Sequence, residues 1–97
     1  MARELEVPAA VFEDSEFDEV LRVWIGSGAV VAMQDLFGPN VHNWGMVLAD
    51  VAMHIAKMKL ERDGIPEIET LHALEDGYRG RMSEQFNIQH RSLTGRN

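Results

Sequence analysis

The stretch Trp44–Glu61, WGMVLADVAMHIAKMKLE, constrains the fold more than any other part of the chain. At about 100° per residue it predicts an α-helix with two apolar faces and a narrow polar stripe. The first face holds Trp44, Val47, Leu48, Val51, Ile55 and Met58, the second holds Met46, Ala49, Met53, Ala56 and Leu60, and the polar stripe holds Asp50, His54, Lys57 and Glu61. Because a surface helix normally has one apolar stripe and a wide polar face, this helix is predicted to need cover on two sides.

That cover comes either from a central position in one domain or from a second subunit. A chain of 97 residues buries only roughly 60–65% of its unfolded surface, which is too little to wrap a helix on all sides. We therefore predict a homo-oligomer, a dimer or larger, whose interface is the second face: Met46, Ala49, Met53, Ala56 and Leu60. The methionines suit an adaptable contact, although methionine stripes also occur in ordinary cores.

The charge balance excludes two classes of partner. Nine basic and 16 acidic residues give the chain a net charge of −7, whereas nucleic acid and anionic membranes select clustered Lys and Arg. We expect neither as a partner. There is no cysteine, so disulfides and thiolate sites are excluded. With no signal peptide and no long apolar stretch in view, a cytoplasmic protein is expected.

Two strands precede the central helix. Val20–Ile25 and Ala29–Gln34 are rich in β-branched residues and alternate between two faces, which is typical of strands. Gly26 and Gly28 lie between them and are predicted to supply the positive φ angles of a tight hairpin turn. A third strand would have to come from the N-terminal residues, from residues 35–37 or from another subunit.

A second helix follows the central one. Gly64 is placed to end the first helix in a left-handed conformation, and Pro66 opens the next. The apolar residues of this second helix recur at helical spacing: Ile68, Leu71, Leu74, Tyr78, Met82 and Phe86. Gly77 and Gly80 interrupt it and indicate either a close approach to another helix or fraying.

These patterns predict an α+β fold, in which a β-hairpin, or a three-stranded antiparallel sheet, packs against two α-helices. They also divide the chain into an acidic N-terminal arm (residues 1–19), a single domain (20–86) and a flexible C-terminal tail (87–97), because the last segment has no periodicity.

Asp50 and His54 are the only candidates for catalysis. They are four residues apart on one helix, so their side chains can meet. A carboxylate that orients a histidine is half of an acid–base device, and the pair would also supply two ligands of a metal site. The alternative is a surface ion pair beside Lys57 and Glu61. Since no third ligand is evident, we predict neither a metal nor a cofactor.

Arg22, Trp24 and Trp44 are candidates for ligand binding. Arg22 lies mid-strand and would reach either an anionic ligand or an acidic residue on a neighbouring strand. The two tryptophans would form the floor of a pocket or anchor the core. None of these residues identifies a ligand.

Two segments, EVLRVWIGSG (Glu19–Gly28) and WGMVLADVAMHIA (Trp44–Ala56), carry a resemblance. They resemble the Leu-Arg-Val-Trp hairpin and the Trp-Gly/Leu-Ala-Asp-x-x-x-His helix of a family of small bacterial proteins known only as a domain of unknown function. The residues on its motif are Arg22, Trp24, Trp44, Gly45, Asp50 and His54. The family usually has Asp-Pro shortly before Trp-Gly, whereas this chain has Gly38-Pro39, so the helix begins either at Pro39 or after an Asn43 cap. The resemblance implies a compact α+β fold and no assigned activity.

These observations favour a small non-enzymatic interaction or structural module that acts as a homo-oligomer. The alternative is a small-ligand binder or an acid–base enzyme that uses Asp50 and His54 at a subunit-interface pocket.

Overall fold

The computed structural model describes the backbone of residues 4–94 and the side chains of residues 4–86. It confirms the α+β class, with a two-stranded antiparallel hairpin and two main helices. The chain divides into two compact units, Met1–Pro39 and Asn40–Asn97. The hairpin lies in the first unit and the two main helices lie in the second. The predicted packing of the hairpin against the helices concerns both units together and stays a prediction.

Only a short helix forms in the acidic segment before the hairpin. Residues 4–8 join no strand, and α1 spans Ala9–Glu13. Pro8 precedes α1 in an extended conformation, and its carbonyl accepts the N–H of Val11 at 3.0 Å. A helix of five residues is too short to be stable by itself. No third strand joins the sheet within residues 4–94, so the sheet is the two-stranded form of the prediction.

The strands of the hairpin are one residue shorter than predicted. β1 spans Leu21–Ile25 and pairs antiparallel with β2, Ala29–Met33. Val20 and Gln34 lie just outside the strands but remain paired, because the Gln34 N–H donates to the Val20 carbonyl at 2.9 Å. The ladder therefore extends almost to the predicted ends.

The turn between the strands differs from the prediction. The Gly26 N–H donates to the Gly28 carbonyl at 2.8 Å, but neither glycine has a positive φ. The predicted left-handed turn was wrong, because the reversal is spread over three residues and no single one has to adopt that conformation. Positive φ occurs instead at Gly38, at 57°, in the segment that leads to the second unit.

The two faces of the hairpin follow from its hydrogen bonds. The pairs Val20–Gln34 and Gly26–Gly28 are hydrogen-bonded, and bonded pairs alternate with non-bonded pairs in an antiparallel ladder. The non-bonded pairs are Leu21–Met33, Val23–Val31 and Ile25–Ala29. These six residues share one face, here called the apolar hairpin face, which contains no polar side chain.

The central helix, α2, spans His42–Asp63 and includes the whole predicted stretch. Val41 occupies its N-cap position and makes no side-chain capping hydrogen bond, so the predicted starts at Pro39 and after Asn43 were both wrong. At the other end Gly64 has φ 68° and donates its N–H to the Leu60 carbonyl at 3.0 Å. The predicted left-handed cap at Gly64 is confirmed.

The last helix, α3, spans Glu67–Thr94. The Pro66 carbonyl accepts the N–H of Glu69 at 3.0 Å in its first turn, as expected for a proline that opens a helix. α3 continues past residue 87, where the predicted tail begins, because no glycine or proline interrupts the sequence from Arg81 to Thr94. Residues 95–97 lie outside the described part of the chain, and the predicted arm and tail stay predictions.

The two main helices pack against each other. Only residues 64–66 connect them, so they run antiparallel. Ala56 is the one buried apolar residue among the described side chains, and Thr70 is the one buried polar residue. A Cβ placed at Gly77 or Gly80 would meet no atom within 4 Å. These glycines are therefore not sites of close contact with the described side chains of the other helix.

Candidate functional site

α3 covers a side of α2 that lies between the two predicted apolar faces. The α2 residues that are buried or half-buried on this side are Ala52, Ile55, Ala56 and Lys59. Ala56 was assigned to the second face, but it is fully buried inside the helix pair and cannot contact a partner. The other four members of the predicted interface remain available.

The second face of α2 is open along most of its length. Met46 is 56% exposed, Met53 51% and Leu60 43%, and Ala49 is exposed as well. Each of the three large side chains therefore keeps about half of its surface in water, although α3 lies beside it. The packing of α3 against α2 therefore leaves most of the second face uncovered.

α3 has an exposed apolar stripe of its own. Tyr78 is 57% exposed and Met82 51%, while Leu71 and Leu74 on the same stripe are half-buried. The apolar spacing of these residues is visible in the sequence, but spacing alone does not assign them to an interface. Their exposure in the helix pair is the signal that the sequence alone could not supply.

Helix geometry places the two exposed stripes on one side of the pair. Seen along α2 from its first residue, side chains advance clockwise, whereas in the antiparallel α3 they advance anticlockwise. On α2, the second face lies roughly 90° clockwise from the side that contacts α3. On α3, the apolar stripe lies roughly 100° anticlockwise from its contact side, which is near Thr70. Because the contact sides of the two helices face each other, a clockwise step on α2 and an anticlockwise step on α3 end on the same side of the helix pair.

The two stripes therefore form one continuous patch, here called the helical apolar surface. Its members are Met46, Ala49, Met53 and Leu60 from α2, and Leu71, Leu74, Tyr78 and Met82 from α3. With about 200 Å² for a fully exposed large side chain, the five most exposed members contribute roughly 500 Å². This is at the upper end of the apolar patches found on soluble monomers, and patches of that size are commonly functional.

The polar stripe of α2 does not contain the predicted carboxylate–histidine contact. The Nδ1 atom of His54 lies 2.7 Å from the main-chain oxygen of Asp50. Because a carbonyl oxygen only accepts, Nδ1 donates, and in the neutral ring Nε2 is the acceptor. Within the described residues no hydrogen bond or ion pair joins the Asp50 carboxylate to this ring. Both side chains are exposed, and the assembled acid–base pair is not formed.

Arg22 is engaged locally. Its Nε donates to Oε2 of Glu19 at 2.8 Å, and this hydrogen bond with the nearby carboxylate raises the pKa of Arg22 above its usual value. Both side chains are about half exposed. The partner precedes β1 rather than lying on a neighbouring strand. Arg22 also lines an open groove of about 470 Å³ at the base of the hairpin, with Glu19 and Gln34.

The two tryptophans lie in different units. Trp24 is half-buried on β1, opposite Val30, and Trp44 is half-buried in the first turn of α2. Neither lines the groove that contains Arg22. The assignment of Arg22, Trp24 and Trp44 to ligand binding stays a prediction.

A second groove, of about 410 Å³, runs between the two main helices. The residues that line it are Ile55 and Lys59 from α2, Ile65 from the connection, and Glu69, Thr70, Ala73 and Leu74 from α3. Lys59 is held by Asp63 at 3.2 Å. The lining of the groove is mostly apolar, and its polar side chains are Lys59, Glu69 and Thr70.

The described residues contain neither a metal site nor a membrane-spanning helix. No three His, Asp or Glu side chains lie close enough to hold a metal ion. None of the helices in residues 4–94 combines the length and apolar character needed to cross a bilayer.

Comparison with known proteins agrees with the fold. The sequence pattern of a family described as a domain of unknown function (DUF5076) matches residues 4–86. The chain belongs to this family. The resemblance predicted from the hairpin and the central helix is thus confirmed at the level of the DUF5076 family, while the individual motif positions stay a prediction. No curated protein matches the chain.

A solved structure is similar to this DUF5076 protein over most of its length. It is named "putative pyruvate dehydrogenase" and comes from the photosynthetic bacterium Rhodopseudomonas palustrus CGA009. The TM-score is 0.66, the sequence identity is 24%, and the similarity covers 86% of each chain. At this identity the likeness shows a shared fold and does not transfer an activity.

Proposed function

We propose that this protein is a non-enzymatic interaction module that self-associates through the helical apolar surface. One observation carries the proposal. Among its described side chains the helix pair buries a single apolar one, Ala56, and leaves Met46, Met53, Tyr78 and Met82 more than half exposed on one side. Large apolar side chains normally form the core of a domain, so this pair needs a further layer.

The area of the surface fits a second copy of the chain. Two copies that meet face to face would bury roughly 1,000 Å² from their five most exposed residues alone. A specific protein interface begins near that value, and polar rim residues add to it. In a two-fold arrangement the same patch serves both partners, so one surface is sufficient for closure.

The charge distribution leaves the helical apolar surface free for self-association. Each copy carries a net charge of −7, which opposes close approach, but no member of the helical apolar surface is charged. Beside the surface, α3 carries the ion pair Arg79–Glu75, with 2.6 Å between the charged atoms. A charged pair beside an apolar centre agrees with the usual anatomy of an interface, in which an apolar core has a polar rim.

The proposal is tested by the absolute mass of the full chain, measured by light scattering at two concentrations. We expect a mass of at least twice 11.0 kDa at the higher concentration. A mass of 11.0 kDa at both concentrations would refute self-association through this surface.

A further inference from the structure

The hairpin presents two unpaired edges. Its own ladder uses the main-chain groups of the bonded pairs, such as Arg22–Ala32 and Trp24–Val30. The groups of the non-bonded pairs point outward, since the two kinds of pair alternate. The outward N–H and C=O groups therefore belong to Leu21, Val23 and Ile25 on β1, and to Ala29, Val31 and Met33 on β2. Within residues 4–94 no strand occupies either edge.

The two edges are not equivalent. β1 carries Arg22, which is ion-paired to Glu19 at the start of the strand. Charged side chains are a common means by which proteins protect an edge from further pairing. β2, with the sequence AVVAM, has no charge and no proline, and all five of its residues are exposed. Its flanking residues Gly28 and Gln34 are also uncharged. β2 is therefore an unprotected edge.

We propose that β2 pairs antiparallel with β2 of a second copy, so that two hairpins form one four-stranded sheet. A two-fold axis at Val31 places Ala29 opposite the partner's Met33 and Val30 opposite the partner's Ala32. Each of these pairs joins a smaller side chain to a larger one, and no like charges oppose each other. The outward groups of Ala29, Val31 and Met33 would make about six main-chain hydrogen bonds across the axis.

The pairing also enlarges the apolar hairpin face. A two-fold axis perpendicular to the sheet keeps the same face of both hairpins on the same side. The face then doubles from six to twelve apolar residues. Two isolated strands are only marginally stable in water, and independent stability needs three or more strands with an apolar face, or packing against a helix. The second copy thus supplies what the hairpin lacks.

This contact is separate from the helical apolar surface, so the two can fail independently. Residue-resolved amide exchange by NMR on the full chain tests it without any substitution. In a lone hairpin, the amides of Val30 and Ala32 are protected and those of Ala29, Val31 and Met33 exchange freely. We expect all five to exchange slowly, with the last three slowed by at least about tenfold on raising the concentration. The outward amides of β1 remain fast and serve as an internal control.

Matched proline variants provide the second test. Val23 and Val31 face each other in the hairpin, and each has an outward N–H that the hairpin's own ladder does not use. Proline is tolerated at such edge positions but blocks further pairing. We expect Val31→Pro to restore fast exchange at Ala29 and Met33 and to weaken association, measured by sedimentation, by at least about tenfold. Val23→Pro is expected to change neither.

The outcomes separate the two contacts. Fast exchange at Ala29, Val31 and Met33 in a chain of dimeric mass would overturn the strand pairing and leave the helical surface in place. If these amides exchange slowly and the Met53→Glu protein is still a dimer, association through the helical apolar surface is refuted and the strand pairing is retained. If Val31→Pro fails to fold, the amide pattern of the unsubstituted chain still decides.

Discussion

Substitution of Met53 by glutamate tests the helical apolar surface most directly. Met53 lies near the middle of the exposed face of α2 and is 51% exposed. In the monomer the new carboxylate has free access to water, and glutamate is a good helix former. The substitution is therefore expected to leave α2 and its packing against α3 intact. In a dimer the same carboxylate would be buried without a partner.

The magnitude follows from the exposure. Full burial of a methionine contributes about 1.5–3 kcal/mol, so burial of the half that remains exposed contributes about 0.8–1.5 kcal/mol per copy. A buried, unpaired carboxylate costs at least about 2 kcal/mol more. Both effects occur twice in a symmetric dimer, which gives a total of at least about 5 kcal/mol. The dissociation constant would rise by more than about a thousandfold.

Sedimentation equilibrium over a range of concentrations measures this change. His54→Glu is the matched control, because it introduces the same charge at the adjacent residue but on the polar stripe. Met53→Leu is a second control that keeps volume and apolar character. We expect both controls to retain the parent mass and Met53→Glu to be monomeric. A Met53→Glu protein that assembles as the parent does would remove Met53 from any interface and refute the role of the surface.

Further outcomes follow from other positions. Tyr78→Ala is expected to weaken association by at least about tenfold while circular dichroism remains unchanged, since its ring is part of the same surface; an unaltered affinity would restrict the surface to α2. Gly64→Ala should lower the free energy of unfolding by about 1–2 kcal/mol, because φ is 68° there. Gly77→Ala should raise the free energy of unfolding by about 0.5–1 kcal/mol, because no atom lies near the added methyl group. Thermal denaturation measures both changes, and the opposite signs would contradict the backbone described. Asp50→Ala combined with His54→Ala is expected to change neither mass nor melting temperature, and a lost ligand-binding activity in that variant would revive the acid–base alternative.

Periodicity was sufficient to predict the main elements. The apolar pattern from Trp44 to Glu61 located α2 to within two residues at each end, and Gly64 ended it as expected. The strands were correct to one residue because β-branched residues and alternation agree there. The end of α3 was missed, since its apolar spacing stops at Phe86 while the backbone, with no breaker, continues.

The side of α2 that α3 covers could not be predicted from apolar periodicity. Besides Ile55, the contact uses Ala52, Ala56 and Lys59, which are small or charged and contribute little to an apolar pattern. Small residues let helices approach closely, so packing depends there on shape rather than on hydrophobicity. The predicted contact between the Asp50 and His54 side chains is replaced by a local one, because the His54 ring bonds the main-chain oxygen of Asp50.

Because few apolar side chains are buried between α2 and α3, the stability of this protein is expected to depend on its concentration. Ala56 is the one buried apolar side chain among the described residues, so a second copy on the proposed helical apolar surface would add a large share of the free energy of folding. For a dimer formed in this way, each tenfold rise in protein concentration adds about 1.4 kcal/mol to the stability of the folded state. Dilute chains would then open often and be accessible to proteases, while abundant chains would protect one another. The cellular lifetime of the protein would rise with its own concentration.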